Sequence, residues 1–264
     1  MAAQNQSSFE PYGSFAEIYD QIMCSVDYEG WADYVEALLK IHAGNQVIKD
    51  VIDLACGTGS STIPFARRGY RVVGLDISET MLKLAHRKTE EQNLSILYHR
   101  QDLRCLCLNQ KFDLALLFQD GLNYILSEPE LYKVFCDLYA SLKCPGFFVF
   151  DLTRPGLRSQ NIVKDDTCVV DLEELTLIME SHYQKEKELW SASLTVFQKL
   201  KNGLYKKYRE EHQEKDYAPV KIKEMLKRAG FSVTGIYPSF SLQLTGEQDS
   251  NQKLTFVAKK SAGS

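Results

Sequence analysis

The segment from residue 47 to residue 81 constrains the fold most, because two apolar runs in it are separated by a loop that contains glycines. The run 47–54 is too short for a helix of its own, and we predict a buried parallel strand that ends before Gly57. Gly57 and Gly59 lack a Cβ, so they allow a tight turn whose backbone can lie against a ligand. The order strand, loop, helix, strand predicts an α/β protein with a ligand site at the carboxyl edge of its sheet.

The second apolar run ends in an acidic residue, and a glycine loop followed by such an acid is compatible with more than one class of ligand. The run 71–76 ends in Asp76, whose carboxylate is suited to binding both hydroxyls of a ribose. Dinucleotide-binding proteins share a glycine loop with a downstream acid, but they place a third glycine where this chain has Thr62. Asp53, at the loop entrance, suits the orientation of the loop and of a cationic amino-acid group better than it suits a pyrophosphate. A phosphate-binding Walker loop is excluded because no Gly-Lys-Ser/Thr follows, whereas a nicotinamide-dependent dehydrogenase and a cofactor-free domain stay open as alternatives.

Two motifs here resemble those of the class I S-adenosylmethionine-dependent methyltransferases: the run Asp-Leu-Ala-Cys-Gly-Thr-Gly at 53–59, and Asp76 at the end of the next strand. The resemblance implies a Rossmann-like sheet of seven strands, mostly parallel with the last strand antiparallel, and S-adenosyl-L-methionine as the cofactor. It also implies that an acid and an apolar residue one strand later, here Asp102 and Leu103, bind the adenine. The reaction it implies is an in-line transfer of a methyl group.

Aromatic residues near the N-terminus extend this resemblance. The segments 12–20, Tyr-Gly-Ser-Phe-Ala-Glu-Ile-Tyr-Asp, and 27–31, Asp-Tyr-Glu-Gly-Trp, resemble the leading segment of small-molecule methyltransferases, including glycine and amino-sugar N-methyltransferases. In those proteins the segment folds over the cofactor. Aromatic faces attract a sulfonium cation, and a closed site excludes water.

The pattern changes between residue 155 and residue 216 from strand–helix units to long runs in which apolar and polar residues alternate. Asn202-Gly203 is a strong signal for a hairpin turn in this segment. We therefore predict an antiparallel β meander inserted into the α/β sheet. The expected domains are an N-terminal helical cap at 1–45, a methyltransferase core at 46–154 and 217–264, and an inserted lid at 155–216.

Five acids are expected at the carboxyl ends of successive strands, where open α/β sheets bind ligands. They are Asp53, Asp76, Asp102, Asp120 and Asp151. Some related N-methyltransferases carry a histidine in the loop after the fourth strand. This chain has Asp120, Asn123 and Tyr124 there, with none of its five histidines nearby in sequence, so a histidine-based mechanism is in doubt. We expect Asp120 or Asn123 to orient the methyl acceptor, the alternative being that Asn123 and Tyr124 only cap and pack the next helix.

These arguments give a complete set of expected site residues. The residues expected to bind the cofactor are Tyr12, Tyr19, Trp31, Asp53, Ala55, Gly57, Gly59, Asp76, Ile77, Met81, Asp102, Leu103, Phe118 and Gln119. The residues expected to take part in catalysis are Asp120, Asn123 and Tyr19, and those expected to bind the substrate are Tyr28, Tyr124, Asp151 and Arg154.

Net charge, cysteine spacing and hydropathy limit the classes of substrate and partner that we expect. The net charge of -4 provides no basic field for nucleic acid, so we expect a small-molecule acceptor, an amine, hydroxyl or carboxylate. A peptide or RNA methyltransferase, or a non-catalytic protein that binds the cofactor, stays an alternative.

The seven cysteines include no Cys-x-x-Cys pair, so we expect no metal site. No secretion signal or membrane-spanning run is present, which predicts a cytoplasmic protein, and the hairpin edges of the insertion suggest a homodimer.

Overall fold

The computed structural model describes residues 15–158, 165–245 and 251–261. Its strands are β1 (Asp50–Leu54), β2 (Arg71–Asp76), β3 (Leu97–Arg100), β4 (Phe112–Leu117), β5 (Leu142–Thr153), β6 (Asp165–Leu172), β7 (Leu175–Gln184), β8 (Leu189–Lys199), β9 (Tyr205–Lys215), β10 (Ser232–Pro238) and β11 (Lys253–Lys260). Its α-helices are α1 (Ala16–Ile22), α2 (Tyr28–His42), α3 (Thr62–Arg67), α4 (Glu79–Glu91), α5 (Glu128–Ser141), α6 (Pro155–Arg158) and α7 (Pro219–Arg228).

Seven strands form one sheet in the order β10-β11-β5-β4-β1-β2-β3. Strand β1 lies in the middle and pairs in parallel with β2 and β4, while β11 runs antiparallel to both β5 and β10. This confirms the predicted Rossmann-like sheet with an antiparallel last strand. Because parallel strands end at the same edge, the loops after β1, β2, β3, β4 and β5 meet there.

Both faces of the sheet are covered by helices, as an almost parallel sheet requires. All residues of β4 are buried. One apolar core lies between the sheet and helices α5 and α7, and another lies between the sheet and helices α2, α3 and α4. The sheet therefore forms a rigid base for the loops at its carboxyl edge.

Local signals in the sequence set the starts of two helices, with different outcomes. Ser78 caps α4, since its Oγ accepts a hydrogen bond from Met81 N. The segment 127–130, Ser-Glu-Pro-Glu, has the residue pattern of a capping box, and α5 begins directly after Ser127, but the Ser127 side chain makes no capping hydrogen bond. Glu128 and Glu130 in its first turn still favour the helix N-terminus electrostatically.

The inserted segment forms a second sheet of four antiparallel strands in the order β6-β7-β8-β9. The predicted meander is thus confirmed, and strand β6 is an addition that the alternation of the sequence did not reveal. Helix α1 packs on this sheet, with Phe15 and Ile18 against Leu177, Val196 and Tyr208. The N-terminal segment and the insertion therefore share a small core of their own.

Two further expectations from the sequence concern Tyr12 and membrane-spanning segments. Tyr12 lies outside the described residues. Among the helices that the structure describes, none combines the length and apolar character that crossing a bilayer needs.

Candidate active site

A cavity of about 270 Å³ lies at the carboxyl edge of the seven-stranded sheet. Its walls come from the loops after β1 to β4 and from helix α1. The lining residues are Tyr19, Ala55, Gly57, Asp76, Ile77, Met81, Gln101, Asp102, Leu103, Arg104, Gln119, Gly121, Tyr124 and Ile125. Ten of the residues expected from the sequence thus line this one cavity.

The glycine loop is tied to the end of β2. Asp76 Oδ2 accepts a hydrogen bond from Gly57 N at 2.8 Å, and Asp76 Oδ1 accepts one from Ser78 N at 2.8 Å. Burial raises the pKa of the Asp76 carboxyl, while these N–H groups oppose the rise. Gly57 has a φ of +54°, and a Cβ built on it would meet no protein atom within 4 Å. A side chain at position 57 would therefore project into open space, which leaves that space to a ligand.

Asp53 and Gly59 support the structure of the glycine loop without lining the cavity. Asp53 is 1% exposed, and its Oδ2 accepts hydrogen bonds from Ser61 Oγ at 2.8 Å and Thr62 Oγ1 at 2.7 Å. Burial raises the pKa of Asp53 to about 6. A Cβ on Gly59 would lie 2.6 Å from the Tyr98 hydroxyl oxygen, so this glycine permits close packing. Neither Asp53 nor Gly59 lines the cavity, and their contact with a cofactor stays a prediction.

The corner after β3 contains an ion pair that the sequence analysis did not include. The Asp102 carboxylate accepts hydrogen bonds from Arg104 Nε at 3.0 Å and Arg104 Nη2 at 2.6 Å. This guanidinium lowers the pKa of Asp102. Next to this pair, the buried Gln101 Oε1 accepts no hydrogen bond from the part of the chain that the structure describes. The only signal for Arg104 was its position two residues after the expected adenine-binding acid.

The loop after β4 is held by a buried charge cluster. Gln119 and Asp120 have positive φ angles, 57° and 65°, and donate their backbone N–H groups to the Asp151 carboxylate at 3.0 and 3.2 Å. Lys253 Nζ lies 2.9 Å from Asp120 Oδ1 and 2.9 Å from Asp151 Oδ2. Burial opposes the charge on Lys253, yet the carboxylates of Asp151 and Asp120 raise its pKa. Asp120 also accepts a hydrogen bond from the Thr153 hydroxyl.

This arrangement corrects the expected roles of two residues. Asp151 is 0% exposed, and both of its oxygens bind the backbone or Lys253, so it holds the loop and offers no surface to a substrate. Asn123 is also 0% exposed. Its Nδ2 donates to the carbonyls of Thr153 and Lys215 at 2.8 Å each, and its Oδ1 accepts from Thr153 N at 3.2 Å. Asn123 thus joins three segments of backbone and does not reach an acceptor, since the hydrogen-bonding groups of its amide are taken up by the fold.

Other expected residues lie near the cavity without lining it. Trp31 is 5% exposed and packs on Phe118 and Phe240 with ring centroids 4.7 and 4.3 Å apart. Burial raises the pKa of the Tyr28 hydroxyl to about 12, and Asp20 adds to the rise. Arg154, just after β5, donates its backbone N–H to Gln252 O at 2.8 Å. Roles for Tyr28, Trp31, Phe118, Asp120 and Arg154 in binding or catalysis stay predictions.

Helix α1 is fastened to the glycine loop by a polar cluster. Asp20 Oδ1 accepts hydrogen bonds from Thr58 Oγ1 at 2.6 Å and Ser60 Oγ at 3.2 Å, and Asp20 Oδ2 pairs with Lys88 Nζ at 2.8 Å. Thr58 lies between the two loop glycines. The cluster thereby places Tyr19, the residue before Asp20, at the cavity.

A histidine also reaches this end of the site. Tyr124 lines the cavity, and its hydroxyl oxygen lies 3.0 Å from Nδ1 of His212 on β9. Burial lowers the pKa of His212. The sequence analysis missed this residue because it lies 88 positions away from Tyr124 along the chain. The alternation in β9, which buries Tyr208, Glu210, His212 and Glu214, was the available signal that His212 faces inward.

Comparisons with known proteins agree with this geometry. A family model described as "Methyltransferase domain" matches residues 51–146. "Putative methyltransferase GWCH70_2453" from Geobacillus sp. (strain WCH70) is 32% identical over 249 residues, which cover 94% of this chain and 99% of that protein. The crystal structure of an S-adenosylmethionine-dependent methyltransferase from Clostridium acetobutylicum ATCC 824 has a TM-score of 0.83 at 29% identity, covering 95% of this chain and 99% of that one.

A more distant structure shares the fold. The S-adenosylmethionine-bound structure of CalS10, an amino pentose methyltransferase from Micromonospora echinaspora, has a TM-score of 0.70 at 16% identity. The match covers 98% of this chain and 100% of that one. The similarity therefore includes the inserted sheet as well as the seven-stranded sheet.

Proposed function

Because the chain belongs to the class I S-adenosylmethionine-dependent methyltransferases, we propose that it transfers the methyl group of this cofactor to a small-molecule acceptor. The observation that carries the proposal is the position of the cavity. It lies between the cofactor loops on one side and Tyr19 of helix α1 and Tyr124 on the other. A cavity of this size, bordered by side chains on both sides, suits a small acceptor better than a polymer, which needs a long groove.

The residues at the cavity fit S-adenosylmethionine. Open space at Gly57 suits a ligand that lies on the loop backbone, as described above. Asp76 has hydrogen-bonding capacity left for a ribose diol, because an ionised carboxylate offers about four acceptor sites. The buried oxygen of Gln101, together with Asp102, offers acceptors for the exocyclic amine of an adenine. We propose that Gly57, Asp76, Asp102 and Leu103 hold the cofactor.

The cofactor, when bound, supplies a methyl group that its sulfonium already activates. The protein therefore has to align the acceptor with that methyl group and keep water out, which can together contribute roughly 7 to 11 kcal/mol. We assign alignment of the acceptor to Tyr19 and Tyr124, since both residues line the cavity. Exclusion of water falls to helix α1, which the Asp20 cluster fastens over the glycine loop.

A small acceptor is supported by two observations. CalS10, whose structure covers this whole fold, is described as an amino pentose methyltransferase. The chain itself has a net charge of -4, which provides no general attraction for the phosphates of RNA. An amine, hydroxyl or carboxylate on a small molecule is thus the preferred class.

Transfer from methyl-labelled S-adenosylmethionine tests this proposal. The purified protein would be incubated separately with an amino sugar, a hydroxylated aromatic, a small carboxylic acid, a peptide mixture and bulk RNA. Label in a small molecule is expected. Label found only in peptide or RNA would replace the proposed acceptor class, and binding of the cofactor without turnover of any acceptor would favour a non-catalytic binding protein.

We also propose a homodimer formed through the four-stranded sheet. Strand β6 is an edge of that sheet, and an exposed edge can pair with another chain. Light scattering measures the mass directly. A mass of one chain at micromolar concentration would contradict the dimer.

A further inference from the structure

Tyr124 and His212 come from different sheets and meet at the cavity. Tyr124 follows β4, whereas His212 lies on β9 of the inserted sheet. Their rings are 6.0 Å apart and nearly perpendicular, at 83°, and the hydroxyl oxygen lies 3.0 Å from Nδ1. One hydrogen bond therefore links the wall of the cavity to the interior of the insertion.

Burial favours a neutral imidazole at His212, although carboxylates near it act in the opposite direction. The residue is 8% exposed, and the ring of Phe15 lies edge-on to it with centroids 6.3 Å apart. On β9 the buried Glu210 and Glu214 share its face. Burial lowers the pKa of His212, with an opposing effect from Glu211. A neutral imidazole carries one N–H and one nitrogen that accepts a hydrogen bond, and Nδ1 is the nitrogen that faces the Tyr124 hydroxyl.

We propose that Tyr124 and His212 accept the proton that the methyl acceptor loses, with Tyr124 in contact with the acceptor and His212 acting through Tyr124 as a positioning residue. This inference rests on the proposed function. In the resting pair the Tyr124 hydroxyl donates to His212 Nδ1. The phenol oxygen then has lone pairs that can accept a hydrogen bond from an N–H or O–H in the cavity.

The proton and electron balance of this step is complete. The nucleophilic nitrogen or oxygen uses a lone pair to form the bond to the methyl carbon, and the electron pair of the carbon–sulfur bond stays on sulfur. The proton of the nucleophile moves to the Tyr124 oxygen as the hydroxyl proton moves to His212 Nδ1. Tyr124 is neutral before and after the step, and His212 ends as an imidazolium.

The pair therefore narrows the acceptor class. A primary or secondary amine or a hydroxyl brings a proton that the pair can accept. An ionised carboxylate or a tertiary amine brings no proton for the pair to accept. We expect the substrate to be an N–H or O–H compound.

Nitrogen NMR of the imidazole rings tests the direction of the hydrogen bond without an acceptor. The protein would be labelled at histidine nitrogens and saturated with S-adenosylhomocysteine, the demethylated product of the cofactor. The chain has five histidines, and the signals that His212→Asn lacks identify His212. We expect Nδ1 of His212 to be unprotonated at neutral pH and to shift in Tyr124→Phe. A protonated Nδ1, or no shift in Tyr124→Phe, would overturn the proposal.

A second test measures the kinetics of methyl transfer to whichever compound of the acceptor panel the protein methylates. His212→Asn keeps an oxygen near the position of Nδ1 but cannot take a proton. We expect it, like Tyr124→Phe, to lower kcat by about 100-fold while the Kd of S-adenosylmethionine changes less than about twofold. The exposed His182 provides the matched control, and His182→Asn should leave kcat unchanged.

These results separate the two proposals. Absence of S-adenosylmethionine binding in calorimetry would contradict the proposed function, whereas the NMR result judges the hydrogen bond by itself. An unchanged kcat in both variants, or methylation of the carboxylic acid in the panel, would contradict the proton-accepting pair and leave methyl transfer intact.

Discussion

Gly57 donates its backbone N–H to Asp76 Oδ2 at 2.8 Å, so the loop after β1 and the end of β2 form one unit. Asp76 is only 8% exposed, and its second oxygen accepts from Ser78 N at the start of helix α4. One carboxylate thus fixes the glycine loop, caps the turn before a helix and faces the cavity. The two cofactor motifs that stand apart in the sequence depend on each other in the fold.

Replacing Lys253 should destabilise the protein strongly. Lys253 Nζ neutralises Asp120 and the fully buried Asp151, and removal of one partner of a buried ion pair costs about 3 to 5 kcal/mol. We expect Lys253→Met to lower the free energy of unfolding in urea by that amount. The double variant Lys253→Met/Asp151→Asn should recover a large part of the loss, because the buried charge is then removed.

The control is Lys199→Met, since Lys199 pairs with the exposed Glu174. Pairs of this kind contribute about 1 kcal/mol or less. Equal losses in Lys199→Met and Lys253→Met would show that the cluster below the loop has no special role.

The contact of helix α1 with the glycine loop should affect cofactor binding. Asp20→Asn removes a charge that holds Thr58, Ser60 and Lys88. Because this carboxylate is partly exposed, we expect a moderate effect, a rise in the Kd of S-adenosylmethionine of roughly three- to tenfold. Calorimetry measures the Kd, and hydrogen exchange of the α1 amides should become faster.

Glu17→Gln is the matched variant for this test, because Glu17 is an exposed acid of the same helix. It should leave the Kd and the exchange of α1 unchanged. If Asp20→Asn behaves in the same way as Glu17→Gln, helix α1 does not support the cofactor loop.

Asp53 should make the stability of the protein depend on pH. Burial raises its pKa to about 6 from an ordinary value of 3.8, so the folded state holds the proton more tightly than the unfolded state does. The resulting contribution to stability is present below about pH 4 and is lost as the pH rises through about 6. From this shift we expect the group to cost roughly 3 kcal/mol of unfolding free energy between these limits.

Asp53→Asn removes the titration while its side-chain oxygen can still accept from Ser61 and Thr62. Urea unfolding at several pH values should show that the variant gains stability relative to the wild type as the pH increases from 4 to 7. Parallel pH profiles of the two proteins would contradict the raised pKa.

Asn123 should matter for folding and not for binding. Its amide satisfies buried backbone groups of Thr153 and Lys215, and an unsatisfied buried group costs about 1 to 3 kcal/mol. We expect Asn123→Ala to lower the free energy of unfolding by at least that much, while the folded variant keeps the Kd of S-adenosylmethionine within about twofold. The exposed Asn45 serves as the control through Asn45→Ala. A selective loss of cofactor affinity in Asn123→Ala would return this residue to the binding site.

Much of the fold could be predicted because its signals are local. Apolar runs, loop glycines and strand-terminal acids placed the parallel strands, and the carboxyl edge then followed from their direction. The same reasoning located Gly57, Asp76, Asp102 and Tyr124 at one cavity. Strand β6 was missed because its alternation is weak in a segment that contains several charged residues.

The partners of the expected acids could not be predicted in this way. Lys253 meets Asp120 across 133 positions of sequence, and His212 meets Tyr124 across 88. No spacing rule connects residues that far apart, and only the tertiary fold brings them together. The sequence likewise could not show that Asp53 and Asp151 face inward, because an acid after a strand has the same local pattern whether it binds a ligand or the backbone.

The central claim is that the cavity at the carboxyl edge binds S-adenosylmethionine through Asp76, and calorimetric titration tests it most directly. S-adenosylmethionine and S-adenosylhomocysteine would be titrated into the wild type, Asp76→Ala and the control Asp33→Ala, whose carboxylate is 71% exposed on helix α2. Asp76→Ala would lose the two proposed hydrogen bonds from the ribose hydroxyls to the Asp76 carboxylate. We therefore expect a rise in Kd of at least about tenfold for Asp76→Ala, with the Kd of Asp33→Ala unchanged. Absence of binding by the wild type, or equal affinity in wild type and Asp76→Ala, would contradict the account.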